Sequence, residues 1–123
     1  MLQNQVALVA DPDPQISELL SEMLRIMKCT AIPVMNAHEA SRITNGVIFD
    51  FAVMSVDPHS SQLDLSLIVS TRAKQPHVKV IGISSDINEP TNATKTQVDI
   101  FLRKPFNFEQ LDSAIRSVID VGS

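Results

Sequence analysis

The chain has 123 residues, close to the commonest size for one domain and too short for two separate hydrophobic cores. Hydrophobic residues at 44% and charged residues at 20% are ordinary for a globular protein, and no apolar run approaches the ~20 residues that a membrane crossing needs. A net charge of −4 with no basic run argues against strong phosphate-backbone binding, so neither a nucleic acid nor a membrane is an expected partner.

Val6–Ala10 reads as a short buried strand. The period then changes: Ile16, Leu19, Leu20, Met23, Leu24 and Met27 recur at helical spacing, with Asp13 as N-cap and Pro14 in the first helical position. Cys29 follows as the single cysteine, which cannot form an internal disulfide and reads as a small apolar residue. With no basic start or apolar leader at the N-terminus, the reducing cytoplasm is the expected location. Ala31–Met35 is a second strand, and Ala37–Asn45 a weaker helix that Gly46 is expected to end through a left-handed turn.

Phe51–Val56 is a strongly apolar third strand, followed by the turn-rich Asp57-Pro-His-Ser-Ser and a helical run over Leu63–Lys74. Val78–Ile83 is strand four. Ser84–Gln97, with Pro90, two Asn and three Thr, predicts only a short or irregular helix. Ile100–Leu102 is strand five, and Glu109–Val121 closes the chain as an amphipathic helix. Short apolar strands alternating with helices predict an α/β fold, a parallel sheet covered on both faces. Ligands of such sheets bind beyond the carboxyl ends of the strands.

At those ends stand Asp11-Pro12-Asp13-Pro14, Ser55 to Asp57, Ser84-Ser85, and Phe101-Leu-Arg-Lys104-Pro105-Phe106. In these motifs the chain resembles the receiver domain of two-component response regulators over essentially its whole length. The resemblance implies a single domain with a flavodoxin-like (βα)5 doubly wound sheet, strand order 2-1-3-4-5. It also implies a site: receivers hold Mg²⁺ with an acidic pair after strand one and phosphorylate an aspartate ending strand three. A Ser or Thr after strand four and a lysine after strand five complete that site. The logic is electrostatic, since a transferring phosphoryl group spreads charge over three oxygens that a cation, an ammonium and a hydroxyl stabilise. Lys104 and Ser84 match. Phe101 falls at the family's aromatic switch position, and Lys104-Pro105 at a bond that is commonly cis there.

Two positions depart from the pattern. Pro12 displaces the second acidic residue, and the ungapped register puts Ser55 where the phosphoacceptor belongs. A serine hydroxyl forms no acyl phosphate. A slide of two residues keeps the same strand face and offers Asp57 instead, so both registers stand open. Asp11, Asp13 and Asp57 are the candidate ligands if a cation binds at all; no cofactor is expected, and Mg²⁺ only weakly. Asp13 has a full structural role as a cap, and Asp11 needs a partner, for which Lys104 is placed. His38, His59 and His77 are scattered and suggest no metal centre.

The expectation is therefore an atypical, phosphorylation-independent receiver that is no enzyme and signals through a protein partner or a fused output domain. A homodimer through the face made by the fourth helix, strand five and the closing helix is a further expectation. The rivals are a working phospho-receiver using Asp57 with Mg²⁺, and an unrelated nucleotide- or flavin-binding domain. Against the last stand the missing Gly-rich loop after strand one and the absence of Trp and Tyr.

Overall fold

A computed structural model describes residues 5–56, 63–84 and 97–119. In chain order the elements are β1 (Val6–Ala10), α1 (Pro14–Ile26), β2 (Thr30–Val34), α2 (Ala37–Thr44), β3 (Phe51–Ser55), α3 (Leu63–Lys74), β4 (Lys79–Ser84), β5 (Ile100–Arg103) and α4 (Phe108–Val118). The five strands form one parallel sheet in the order β2-β1-β3-β4-β5, as expected. Of Ser84–Gln97, the region expected to hold a short or irregular helix, residues 85–96 lie outside the described residues.

The period-2 alternation of the strands divides the core. Ala7, Val9, Phe51, Val53, Ile81 and Ile83 face α1 and α4, meeting Leu20, Leu24, Leu111 and Ile115. The intervening Leu8, Ala10, Ala52, Met54 and Val80 face the other way, toward Ala40 and Ile68 on α2 and α3. Both faces of β3 are buried along its length, which is why its sequence is apolar without alternation. β2 is an edge strand. Its Thr30 N–H donates to Gln5 O at 2.8 Å, so strand period turns the nitrogen of Pro33 to the open side, where the missing N–H costs the ladder nothing.

Polar groups fix the other end of the sheet. An Asp50 carboxylate oxygen accepts from Val6 N–H at 2.8 Å, and an Asp99 oxygen accepts from Val80 N–H at 2.7 Å. Gln75, just past α3, is buried: its Oε1 accepts from Phe49 N–H at 2.7 Å, while its Nε2 donates to the carbonyls of Thr44 (3.1 Å) and Val47 (2.6 Å). One side chain thereby satisfies three backbone groups on the connection from α2 to β3.

Two helix ends depart from expectation. Gly46 does not adopt a left-handed conformation; α2 ends at Asn45 in right-handed geometry, and the Gly46 and Val47 amides both bond to Ile43 O, so no chain reversal requires a positive φ there. The left-handed residue is Lys28, with φ of 69°, after α1. Lys28 N–H donates to Arg25 O and Cys29 N–H to Leu24 O, both at 2.9 Å, the paired bonds of a Schellman ending. Cys29 is thereby carried into the core beside Leu24. α4 begins one residue before the expected start, because Asn107 and Gln110 form a capping box, and ends at Val118, before an extended Ile119.

Candidate functional site

The carboxyl ends of β1, β3, β4 and β5 converge on one edge of the sheet. The β1–β3 ladder pairs Ala10 with Met54, so the next row brings Asp11 level with Ser55, the last residue of β3. Asp11 and Ser55 are both buried, at 3% and 5% exposure. A carboxylate so enclosed requires partners. One Asp11 oxygen accepts from Asp13 N–H at 2.9 Å and the other from Lys104 Nζ at 3.0 Å.

Asp13 is turned away from this pair. Its carboxylate caps α1, accepting from Gln15 N–H at 2.9 Å, with Pro14 in the first helical position. Pro12, between the two, has no side-chain oxygen. Lys104 is delivered by β5: its amide donates to Ser84 O at 2.8 Å, and its bond to Pro105 is cis. Ser84 itself, half-buried, ends β4. Thus Asp11, Ser55, Ser84 and Lys104 are gathered at one end, with Asp11 and Lys104 in direct contact. Asp57, the alternative acceptor and third candidate ligand, lies outside the described residues.

Mg²⁺ takes oxygen ligands in near-octahedral geometry and relies on carboxylates. Among the described residues the one buried carboxylate here, Asp11, has both oxygens engaged, that of Asp13 caps a helix, and the end of β3 offers a neutral hydroxyl. By themselves these described donors do not complete an octahedral oxygen shell. Among the described residues no three His, Cys, Asp or Glu side chains converge to hold a metal, and His38 and His77 are exposed.

Phe101, half-buried on β5, lies over Gly82 of β4. A Cβ at Gly82 would stand 3.2 Å from its ring, 3.0 Å from Val98 and 3.1 Å from Val56. The glycine is what lets the ring approach the sheet. A groove of about 580 Å³ runs between β5 and α4, lined by Ile100, Phe101, Leu102, Asn107, Gln110 and Ser113 among others. The Cys29 thiol is held above its usual pKa by burial first and then by the Asp112 and Asp50 charges, which favours the protonated thiol over the thiolate.

No family model matches the chain. The response regulator protein TrrA of Thermotoga maritima, solved with Mg²⁺ and a beryllium fluoride group, superposes with a TM-score of 0.81 at 22% identity, covering 94% of this chain and 99% of that one. The fold is that of a response-regulator receiver domain. NtrX of Brucella abortus carries the same receiver fold within a larger protein, at a TM-score of 0.82, 20% identity, 94% coverage of this chain and 26% of its own. In sequence the chain is similar to the response regulator protein PilR of Pseudomonas aeruginosa, 28% identical over 119 residues. That match takes in 96% of this chain and 27% of PilR, so the chain spans about a quarter of that protein's length. No helix among the described residues is long and apolar enough to cross a membrane.

The motifs after β1 and β5 led directly to the residues now found in contact. Gln75, Asp50 and Asp99, which fasten the opposite end of the sheet, carried no signal of that kind.

Proposed function

We propose that this chain is a receiver module of two-component signalling that works without phosphoryl transfer, through contact with a partner protein or an attached output domain. The observation that carries the reading is the Asp11–Lys104 pair beside Ser55. In a phosphorylating receiver these positions supply a cation ligand, an ammonium for the incoming phosphoryl group and an acceptor carboxylate. Here the ligand and the ammonium are bound to each other, and the serine is no acyl-phosphate acceptor. The module keeps the scaffold and uses its surface.

The surface best suited to that role is the one beside β5. The groove along α4 presents apolar Ile100 and Leu102 with amide and hydroxyl groups around them, and Phe108 stands partly exposed near its end. Such a mixture suits a protein partner, which anchors apolar groups inside a polar rim. A second copy of the chain and an output domain are both candidate occupants. The rival reading, phosphorylation at Asp57 with Mg²⁺, rests on the shared strand parity of residues 55 and 57.

Amide NMR spectra before and after addition of Mg²⁺ with beryllofluoride, a phosphoryl mimic, separate the two. The expected result is no site-specific shift, in wild type or in Ser55→Ala. Shifts around Ser55, Ser84 and Lys104 that vanish in Asp57→Asn would overturn the proposal and make Asp57 the acceptor.

A further inference from the structure

We infer that Asn45 is a site of spontaneous deamidation, at which the Gly46 backbone nitrogen closes on the Asn45 carboxamide and water completes its conversion to aspartate or isoaspartate. The site lies at the foot of the sheet and is independent of how the pocket at the opposite end works.

Asn45 and Gly46 are both exposed, at the corner between α2 and β3. No other asparagine of the sequence precedes a glycine. Glycine lacks the side chain that otherwise shields a backbone nitrogen from attack. The fold does not ask for a glycine here: its φ is not positive, and a Cβ at Gly46 would meet nothing within 4 Å. Asn36 and Asn107 make the contrast. They precede Ala37 and Phe108, and their carboxamide oxygens accept from the Glu39 and Gln110 amides at 2.8 Å each. Among the described residues no hydrogen bond holds the Asn45 carboxamide.

In the native corner the reacting nitrogen is restrained. Gly46 N–H donates to Ile43 O at 3.0 Å, and Asn45 keeps a φ of −79° and a ψ of −20°. Ring closure requires that terminal bond to break and ψ to turn. α2 has eight residues, and the last turn of so short a helix opens at small cost. The Gly46 nitrogen then gives its proton to solvent and bonds to Asn45 Cγ, while the Cγ–Nδ2 bond breaks and that nitrogen leaves as ammonia. Water adds to one carbonyl of the resulting succinimide. Opening the ring at Cγ gives aspartate; opening it at the backbone carbonyl carbon gives isoaspartate, whose main chain is one methylene longer. The sum is carboxamide and water to carboxylate and ammonium, with no oxidant or reductant.

The position gives the change a structural effect. Gln75 Nε2 bridges the carbonyls on either side of this link, Thr44 O at 3.1 Å and Val47 O at 2.6 Å. A methylene added between those carbonyls puts them out of step with the one amide that serves both. The new carboxylate also stands at the negative end of the α2 dipole. Conversion therefore loosens the Gln75 tie, and the tie in turn slows conversion by holding the corner shut.

The test incubates the whole folded chain in mildly alkaline buffer and follows each asparagine by peptide mapping and mass spectrometry, with isoaspartate scored by enzymatic methylation. Asn45 should convert ahead of Asn36 and Asn107. Gly46→Ala, which the open space around Gly46 accommodates, should slow the conversion at least about tenfold. Gln75→Leu, which frees both carbonyls, should speed it about threefold or more. Converted wild type, separated by its extra negative charge, should melt at a lower temperature and lose hydrogen-exchange protection at the Phe49 amide.

Equal conversion at the three asparagines, or an unchanged rate at Asn45 in Gly46→Ala, overturns the site. Converted protein that melts with the unconverted form overturns its link to Gln75, and that comparison decides alone where Gln75→Leu folds poorly.

Discussion

Replacing Gln75 by Leu isolates the polar clamp at the foot of β3. The leucine fills nearly the same volume but offers neither Oε1 nor Nε2, so Phe49 N–H and the carbonyls of Thr44 and Val47 lose the partners they hold at 2.7, 3.1 and 2.6 Å. A buried amide left unpaired costs ~1–3 kcal/mol, and the two carbonyls add about 1 kcal/mol each. Burying extra apolar surface offsets roughly 1 kcal/mol of this. The net loss is about 2–4 kcal/mol, a large part of the 5–15 kcal/mol typical of a domain's whole stability. Urea unfolding followed by circular dichroism should show a lower midpoint at unchanged slope, with the Phe49 amide losing protection from hydrogen exchange. Lys74→Ala, one residue away and exposed, should change stability by less than about 0.5 kcal/mol. A Gln75→Leu protein within ~0.5 kcal/mol of wild type would show that these backbone groups find other partners and would refute the reasoning.

Lys28 holds a left-handed conformation that costs a side chain about 1–2 kcal/mol relative to Gly, so Lys28→Gly should stabilise the fold by up to ~1 kcal/mol once the glycine's added unfolded-state freedom is counted, read as a higher denaturation midpoint. Gly82→Ala places a methyl 3.0–3.2 Å from Val98, Val56 and Phe101 and should destabilise by ~1–3 kcal/mol, with the largest chemical-shift changes on the Phe101 ring. The raised pKa of Cys29 means that the folded chain keeps its proton at a pH where the unfolded chain has lost it. This stabilisation is complete below the usual value of 9.0 and fades as pH rises above it, so the melting temperature should fall between pH 8 and pH 10 by more in wild type than in Cys29→Ala. Alkylation of the native thiol at pH 8 should likewise be slow and accelerate with denaturant.

The sheet was legible because β1, β3 and β4 are apolar runs bounded by turn residues, and a strand buried on both faces leaves that mark in any sequence. The cap at Asp13 was equally plain, since Asp followed by Pro before a helical period has few other meanings. Lys104 could be placed at the site because of the strand it follows. That its ammonium meets Asp11 depends on two segments 93 residues apart, and no local pattern encodes it. Gln75 shows the limit more sharply: one amide side chain at the end of a helix reads as solvent-facing, and only the packed structure shows the three backbone groups that it serves. The left-handed turn was sought at Gly46, where the residue type invites it, and occurs at Lys28, where the Schellman bonds impose it against the side chain's preference. Asp50 and Asp99 look like ordinary strand-flanking charges until an amide near the start of the neighbouring strand, Val6 for one and Val80 for the other, is seen beside each of them.

The proline at position 33 has a consequence for how copies of this protein can meet. A parallel sheet has two outer rails, and a neighbour that adds a strand must find donors and acceptors in step along one of them. On the β2 rail the sequence of hydrogen-bond donors breaks at Pro33, so an incoming strand would lose its register midway along a five-residue element. Growth of the sheet from that side is discouraged by covalent structure, whatever the concentration.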